Sequence, residues 1–296
     1  MLPGMSTPPL RSTLAGALAL AALALAAACA PQEEPGAGST ASAAPADCAP
    51  ATLKTVTAGK LTVATDDPAY PPWFADNKPD SGQGFESAVA YAVAEKLGYT
   101  KDQVVWTRIT FNTAIAPGPK TFDFDVNQFS ITEERRRAVD FSSPYYDVAQ
   151  TVITIKGSKI AGAKTLAELK NAKLGAQVGT TSFRAVTEVV KPAVEPAVFN
   201  NNDDAKKQLQ NGTVDGIVVD LPTAFYMTAA ELEGGLIVGQ LPQPSGTPEQ
   251  FGLVLDKGSA LTSCVSQAVD ALRAAGTLDA LQKQWLAGVA GAPTLG

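Results

Sequence analysis

Histidine is absent from all 296 residues. Its absence removes serine–histidine triads, cysteine–histidine dyads and imidazole metal sites together. An enzyme made from this chain would be left with carboxylate, lysine or tyrosine chemistry. Positive charge is also scarce: 23 Lys and Arg stand against 29 Asp and Glu, a formal net charge of −6. A nucleic-acid surface needs clustered, uncompensated positive charge, so that class of partner is set aside. Charged residues make up 18% and apolar ones 45%, the balance of a globular chain rather than a disordered one. The length allows one large domain or two of ordinary size. No cofactor signature and no metal-ligand cluster stands out, and neither is expected.

What is present begins with processing sequence. One base, Arg11, precedes the apolar run "LAGALALAALALAAA" at 14–28, which ends in small residues before Cys29. That run falls short of the roughly 20 residues of a bilayer span and fits a secretory signal, placed at 1–28. Cysteine directly after small residues resembles a bacterial lipobox, in which Cys29 is lipidated and becomes the mature N-terminus. Ala26 stands where such motifs usually carry leucine, and the alternative is ordinary cleavage near Ala28 or Ala30. Residues 29–47 are rich in Ala, Pro, Gly and Ser and lack aromatic residues. Such a segment buries too little to offset its ordering entropy and reads as a flexible tether. Export places the rest in an oxidising compartment. With Cys29 lipidated, two cysteines remain, Cys48 and Cys264. They are expected to pair, a loop closure that contributes about 4–5 kcal/mol in the chain-entropy model.

From residue 60 short strands alternate with helices. "KLTVATD" (60–66) alternates with period two, and "GFESAVAYAVAEKLG" (84–98) carries Phe85, Val89, Ala92, Val93 and Leu97 at helical spacing with Gly98 as its stop. "VVWTRITF" (104–111) and "FDFDVNQFS" (122–130) read as strands, and "TEERRRAV" (132–139) as a helix. After "FSSPYY" the alternation restarts and runs to "VDGIVVD" (214–220); two amphipathic helices close the chain at 261–286. This pattern predicts mostly parallel sheets covered on both faces, in two lobes of near 100 residues each.

In open α/β sheets ligands sit beyond the carboxyl ends of strands. Asp66, the trio Asn127, Gln128 and Ser130, the segment "GTTS" (179–182) and Asp220 all fall there. "GTTS" opens a helix and offers free N–H groups and capping hydroxyls. The run "SITEERRRAVDFS" (130–142) is the most informative stretch. With Thr132 as N-cap, Glu133 and Glu134 suit the helix dipole, and Arg135 shares a face with Ala138 and Val139, hence points inward. Arg136 and Arg137 are turned from it by about 100° and 200°, toward water. An inward guanidinium needs a partner, and its planar fork suits a carboxylate. That carboxylate is either a ligand's or an internal one such as Asp140; spacing alone leaves both open. Arg135, the donors at Thr180 and Thr181, and the acid Asp220 together describe a receptor for a zwitterion.

"KLTVATD…YPPW", "GFE", "SITEERRRAVDFSSPYY", "LGAQVGTTS" and "VDGIVVDLP", in this order, resemble the polar amino-acid-binding proteins of bacterial ABC importers, solute-binding protein family 3. The resemblance runs from about residue 60 to the "GTLDALQKQWL" terminus. It implies an α/β fold of two Rossmann-like lobes with a two-strand hinge, the periplasmic-binding-protein type II fold, closing on a ligand and docking on a membrane permease. It implies a monomer held outside the cytoplasmic membrane, touching the membrane only through the lipid on Cys29. By motif, Arg135 would hold the ligand α-carboxylate with help from Ser130, Thr180 and Thr181. Asp220 would take the α-ammonium, and Tyr70 and Trp73 would flank the aliphatic part. Asp66 and Gln128 would lie near the side chain. The chain departs from many relatives in carrying Asn127 and Gln128 where they have small residues, and Gln177 where some are basic. Asp67 either favours a basic ligand or is a turn residue beside Pro68.

The family crossing points put lobe 1 at 48–146 and 249–296 and lobe 2 at 147–248. The expected Cys48–Cys264 bridge then braces one lobe without blocking the hinge. Two other functions compete with transport. The same fold appears in secreted cyclohexadienyl dehydratases, which would need a protonated carboxyl among Asp66, Asp67 and Glu86. A ligand-sensing receptor would dock on a partner other than a permease.

Overall fold

The computed structural model describes residues 48–243, 246–286 and 291–296. The expected signal segment, Cys29 and the tether lie outside the described residues. Two five-stranded sheets organise the chain. The first contains β1 (Leu61–Thr65), β2 (Val104–Arg108), β3 (Phe124–Asp125) and β4 (Val139–Phe141). The chain then passes through β5 (Tyr146–Val148) into the second sheet: β6 (Gln150–Ile155), β7 (Leu174–Gln177), β8 (Ala197–Phe199), β9 (Gly216–Asp220) and β10 (Gly235–Gln240). It returns through β11 (Glu249–Phe251) to finish the first sheet with β12 (Val254–Asp256). The strand orders are β2-β1-β3-β12-β4 and β10-β6-β9-β7-β8. β1 pairs in parallel with β2 and β3, and β7 with β8 and β9, while β12 and β6 run antiparallel to their neighbours. β5 and β11 form a separate antiparallel ribbon, Val148 opposite Glu249 and Tyr146 opposite Phe251. That ribbon is the pair of strands joining two lobes.

The helices cover the sheets as the apolar spacing predicts. In α1 (Phe85–Lys96) Phe85, Val89 and Val93 are fully buried, and each such burial stabilises by about 1.5–3 kcal/mol. Gly84 precedes it with φ 97°, and a Cβ there would lie 2.4 Å from the Trp73 carbonyl oxygen. Only glycine lets α1 start against the 68–74 loop. α1 packs on α6 (Thr262–Ala274) and α7 (Thr277–Trp285). Cys48 and Cys264 are disulfide-bonded as expected, with Cα atoms 5.4 Å apart across a separation of 216 residues. The remaining helices are α2 (Phe111–Ile115), α3 (Thr181–Ala185), α4 (Asn202–Gln210) and α5 (Leu221–Tyr226).

Three expectations are corrected. The strand expected over 122–130 keeps only β3, because Gln128 takes φ 47° and turns the backbone out of the sheet. The helix expected over 132–139 is a single 3-10 turn, Arg135–Arg137, because Val139 is drawn into β4 to pair with Asp256 of β12. The end of the chain belongs to the other lobe: Thr294 bridges Gln240, and Leu295 is 2% exposed in the core beside Val238 and Leu241. Residues 292–296 therefore pack on the second sheet rather than with 249–286. No helix among the described residues is long and apolar enough to cross a membrane.

Candidate functional site

The carboxyl ends of β3, β7 and β9 converge on a cavity between the lobes with an open volume of about 40 Å³. Eight of the nine expected ligand residues line it: Asp66, Tyr70, Gln128, Ser130, Arg135, Thr180, Thr181 and Asp220. Trp73 does not. It is fully buried, packed on Phe85, Tyr146 and Phe251. Its indole N–H donates to Thr223 of α5 at 2.9 Å. Trp73 thus ties lobe to lobe beneath the cavity rather than flanking a ligand.

Arg135 points inward, although not from a helix. The Thr132 hydroxyl accepts its backbone N–H at 3.1 Å, which sets the 3-10 turn and turns the side chain under the strand ends. The residue is 8% exposed, whereas Arg136 and Arg137 face solvent. Its guanidinium donates to the Ser130 carbonyl at 2.7 Å and the Gly179 carbonyl at 3.0 Å, and lies over the Phe111 ring. These bonds use two of its five N–H donors. Burial lowers its pKa to about 10, with the charge of Glu249 opposing the shift, so it is a cation at neutral pH. Asp140 is not its partner: that carboxylate is held by Lys257, the Gly258 N–H and the Thr262 hydroxyl.

At the other end, Asp220 closes β9 and accepts from the Gln150 side-chain amide at 2.8 Å. Burial, then the nearby charge of Glu249, raises its pKa to about 8. Thr180 caps α3, accepting from the Phe183 N–H at 3.1 Å, and donates to the Gln177 carbonyl. Ser130 and Thr181, from opposite lobes, place their hydroxyls 3.1 Å apart. Asp66 accepts the Phe111 and Asp67 N–H groups, which aims its carboxylate along the cavity wall. Asp67 instead accepts from the Asn77 amide at 2.9 Å and takes no part in the lining. The two carboxylates thus have different partners, while burial, aided by the Asp67 charge, raises the Asp66 pKa. Gln128 lines the cavity, but its backbone N–H and side-chain amide both donate to Glu86, as does the Tyr145 hydroxyl at 2.5 Å. Glu86 is fully buried, and its pKa is raised by that burial to about 7.

Sequence reasoning missed Gln150 and Glu249. Gln150 bridges Asp220 and Glu249 from the first position of β6, and its side-chain amide oxygen accepts from the Ser182 hydroxyl at 2.6 Å. Glu249 opens the ribbon strand β11 and accepts from Ser130 and Thr181. Neither belongs to a motif; a polar residue beginning or ending a strand beside the hinge was the only signal.

Two α/β lobes, a two-strand connection and a polar cavity between them define a type II periplasmic-binding-protein fold. The family description "Bacterial extracellular solute-binding proteins, family 3" matches residues 61–288. The L-arginine-binding protein of Pseudomonas aeruginosa is 31% identical over 241 residues, covering 79% of this chain and 90% of the relative. The ABC transporter glutamine-binding protein GlnH of Bacillus subtilis is 29% identical over 218 residues, covering 72% and 77%. Among solved structures, an ancestral arginine-binding protein bound to arginine aligns with TM-score 0.64 and 32% identity, covering 77% of this chain and 98% of that one. The chain belongs to the bacterial extracellular solute-binding proteins, family 3.

Proposed function

We propose that the protein is an extracytoplasmic receptor that closes on one free amino acid and delivers it to the permease of an ABC importer. The observation that carries this reading is the placing of a buried cation, Arg135, and a buried acid, Asp220, on one interlobe cavity. A zwitterion meets both needs. Its carboxylate takes the remaining donors of Arg135 with the Ser130 and Thr181 hydroxyls and the Thr180 N–H. Its ammonium restores charge to Asp220. Tyr70, Asp66 and the backbone of Gln128 border the side-chain end. The reading carries no catalytic step: Glu86 does not line the cavity, and the Asp66 carboxylate is held by the Phe111 and Asp67 N–H groups. Lobe 1 comprises 48–146 and 249–286, and lobe 2 comprises 147–248 with the 292–296 tail. The mature chain is a monomer anchored through a lipid on Cys29.

Arginine-binding and glutamine-binding relatives support the ligand class. A thermal-shift panel of the twenty free L-amino acids with ornithine and citrulline tests it, because a ligand that binds only the folded state raises the melting temperature. One or a few amino acids should stabilise the protein by several degrees at millimolar concentration. No shift with any of them would sink the proposal.

A further inference from the structure

Glu249 stands where the amino-acid reading places the ligand's carboxylate. Its carboxylate accepts the hydroxyl protons of Ser130, from one lobe, and Thr181, from the other. The Gln150 amide donates toward both of its oxygens, at 3.2 and 3.3 Å. Those three partners are buried, at 2%, 8% and 3% exposure. Its charge also acts on Arg135. Each hydroxyl has one proton to donate, so a ligand carboxylate and Glu249 cannot both hold Ser130 and Thr181. Space gives the same answer. An open volume of about 40 Å³ accommodates about three water molecules, less than an amino acid needs. On its hinge side Glu249 borders a second cavity of about 400 Å³ that also reaches Gln150, Thr181 and Arg184. A displaced carboxylate has room there, and a cation to face.

We propose that Glu249 is a built-in substitute for the ligand α-carboxylate: it bridges the lobes through Ser130 and Thr181, and the arriving amino acid displaces it toward the hinge-side cavity. This rests on the reading of the cleft as an amino-acid site. It makes Glu249 a specificity-determining residue, because only a ligand that brings its own carboxylate replaces what Glu249 supplied. It also sets the wild-type affinity below what the cleft could otherwise reach.

The experiment uses the mature chain, with Glu249→Ala and Glu249→Gln, the second keeping the side-chain shape and losing the charge. Melting temperatures are followed against sodium acetate with sodium chloride as the ionic-strength control, and L-arginine and L-glutamine are titrated by calorimetry. Acetate should raise the melting temperature of Glu249→Ala saturably and leave the wild type unmoved. Both variants should bind the preferred amino acid at least tenfold more tightly than the wild type does. Acetate acting equally on all three proteins, or weaker amino-acid binding by the variants, would overturn the proposal; the latter would mean that Glu249 touches the ligand directly. Selective acetate stabilisation of Glu249→Ala with no amino acid bound by any of the three would uphold the carboxylate place and refute the receptor reading instead.

Discussion

Binding of the amino acid should release protons, in a number the structure sets. In the interlobe cavity Asp220 has a pKa of about 8, raised by burial and then by the charge of Glu249. Its ordinary value is 3.8. At pH 6.5 the carboxyl is therefore almost wholly protonated before the ligand arrives. A ligand ammonium can use it only as a carboxylate, which pulls the pKa back below the working pH. The free protein thus holds more protons than the complex. The sign follows: affinity rises with pH between about 6 and 8, by up to tenfold per unit, since each unit is worth about 1.4 kcal/mol. Calorimetry at pH 6.5 in two buffers of different ionisation enthalpy reads the exchange directly, and about one proton should leave per amino acid bound. A buffer-independent enthalpy, with affinity flat from pH 6 to pH 8, would refute the pairing of the ammonium with Asp220.

Three further outcomes follow from the same geometry. Arg135→Ala should lower amino-acid affinity by at least 100-fold, a cost of about 3 kcal/mol or more for a carboxylate left without its charged partner, while Arg136→Ala and Arg137→Ala change it less than threefold; calorimetry on the three proteins decides. Replacing both Cys48 and Cys264 by serine removes a closure spanning 216 residues, worth about 5 kcal/mol by the chain-entropy relation, so the melting temperature should fall by about 10–20 °C with ligand affinity kept, because both ends sit in one lobe. Glu86 has a folded-state pKa near 7 against an ordinary 4.5. The folded protein therefore holds an extra proton in that window, and its stability declines by about 3 kcal/mol as pH rises from 4.5 through 7. Glu86→Gln should flatten that decline, as measured by denaturant unfolding across pH 4.5–8.

The parts of the fold legible in the sequence are those fixed by local patterns. α1 could be read from Phe85, Val89 and Val93, and β9 from the apolar run before Asp220, because periodicity reports burial along one element. The inward turn of Arg135 was legible through its spacing from Ala138 and Val139, but the helix that was to carry it was not there: pairing of Val139–Phe141 with β12, more than a hundred residues later, overrides local propensity. The same limit hid Glu249 and Gln150. They gain their roles only when two strands distant in sequence cross at the hinge and bring a hydroxyl from each lobe against one carboxylate. Trp73 failed as a ligand residue for a related reason. Its place in "YPPW" implied a ligand contact by resemblance, and only tertiary packing shows that its ring completes the core under the cavity. The disulfide was reachable by counting, since cysteine pairing outside the cytoplasm needs no knowledge of the path between the two residues.

The most direct test of the receptor account is a crystal structure with the amino acid that gives the largest thermal shift. The account predicts the α-carboxylate within hydrogen-bond distance of the Arg135 guanidinium and the α-ammonium on Asp220. A ligand seated outside the interlobe cavity, with those two side chains unchanged, would contradict it.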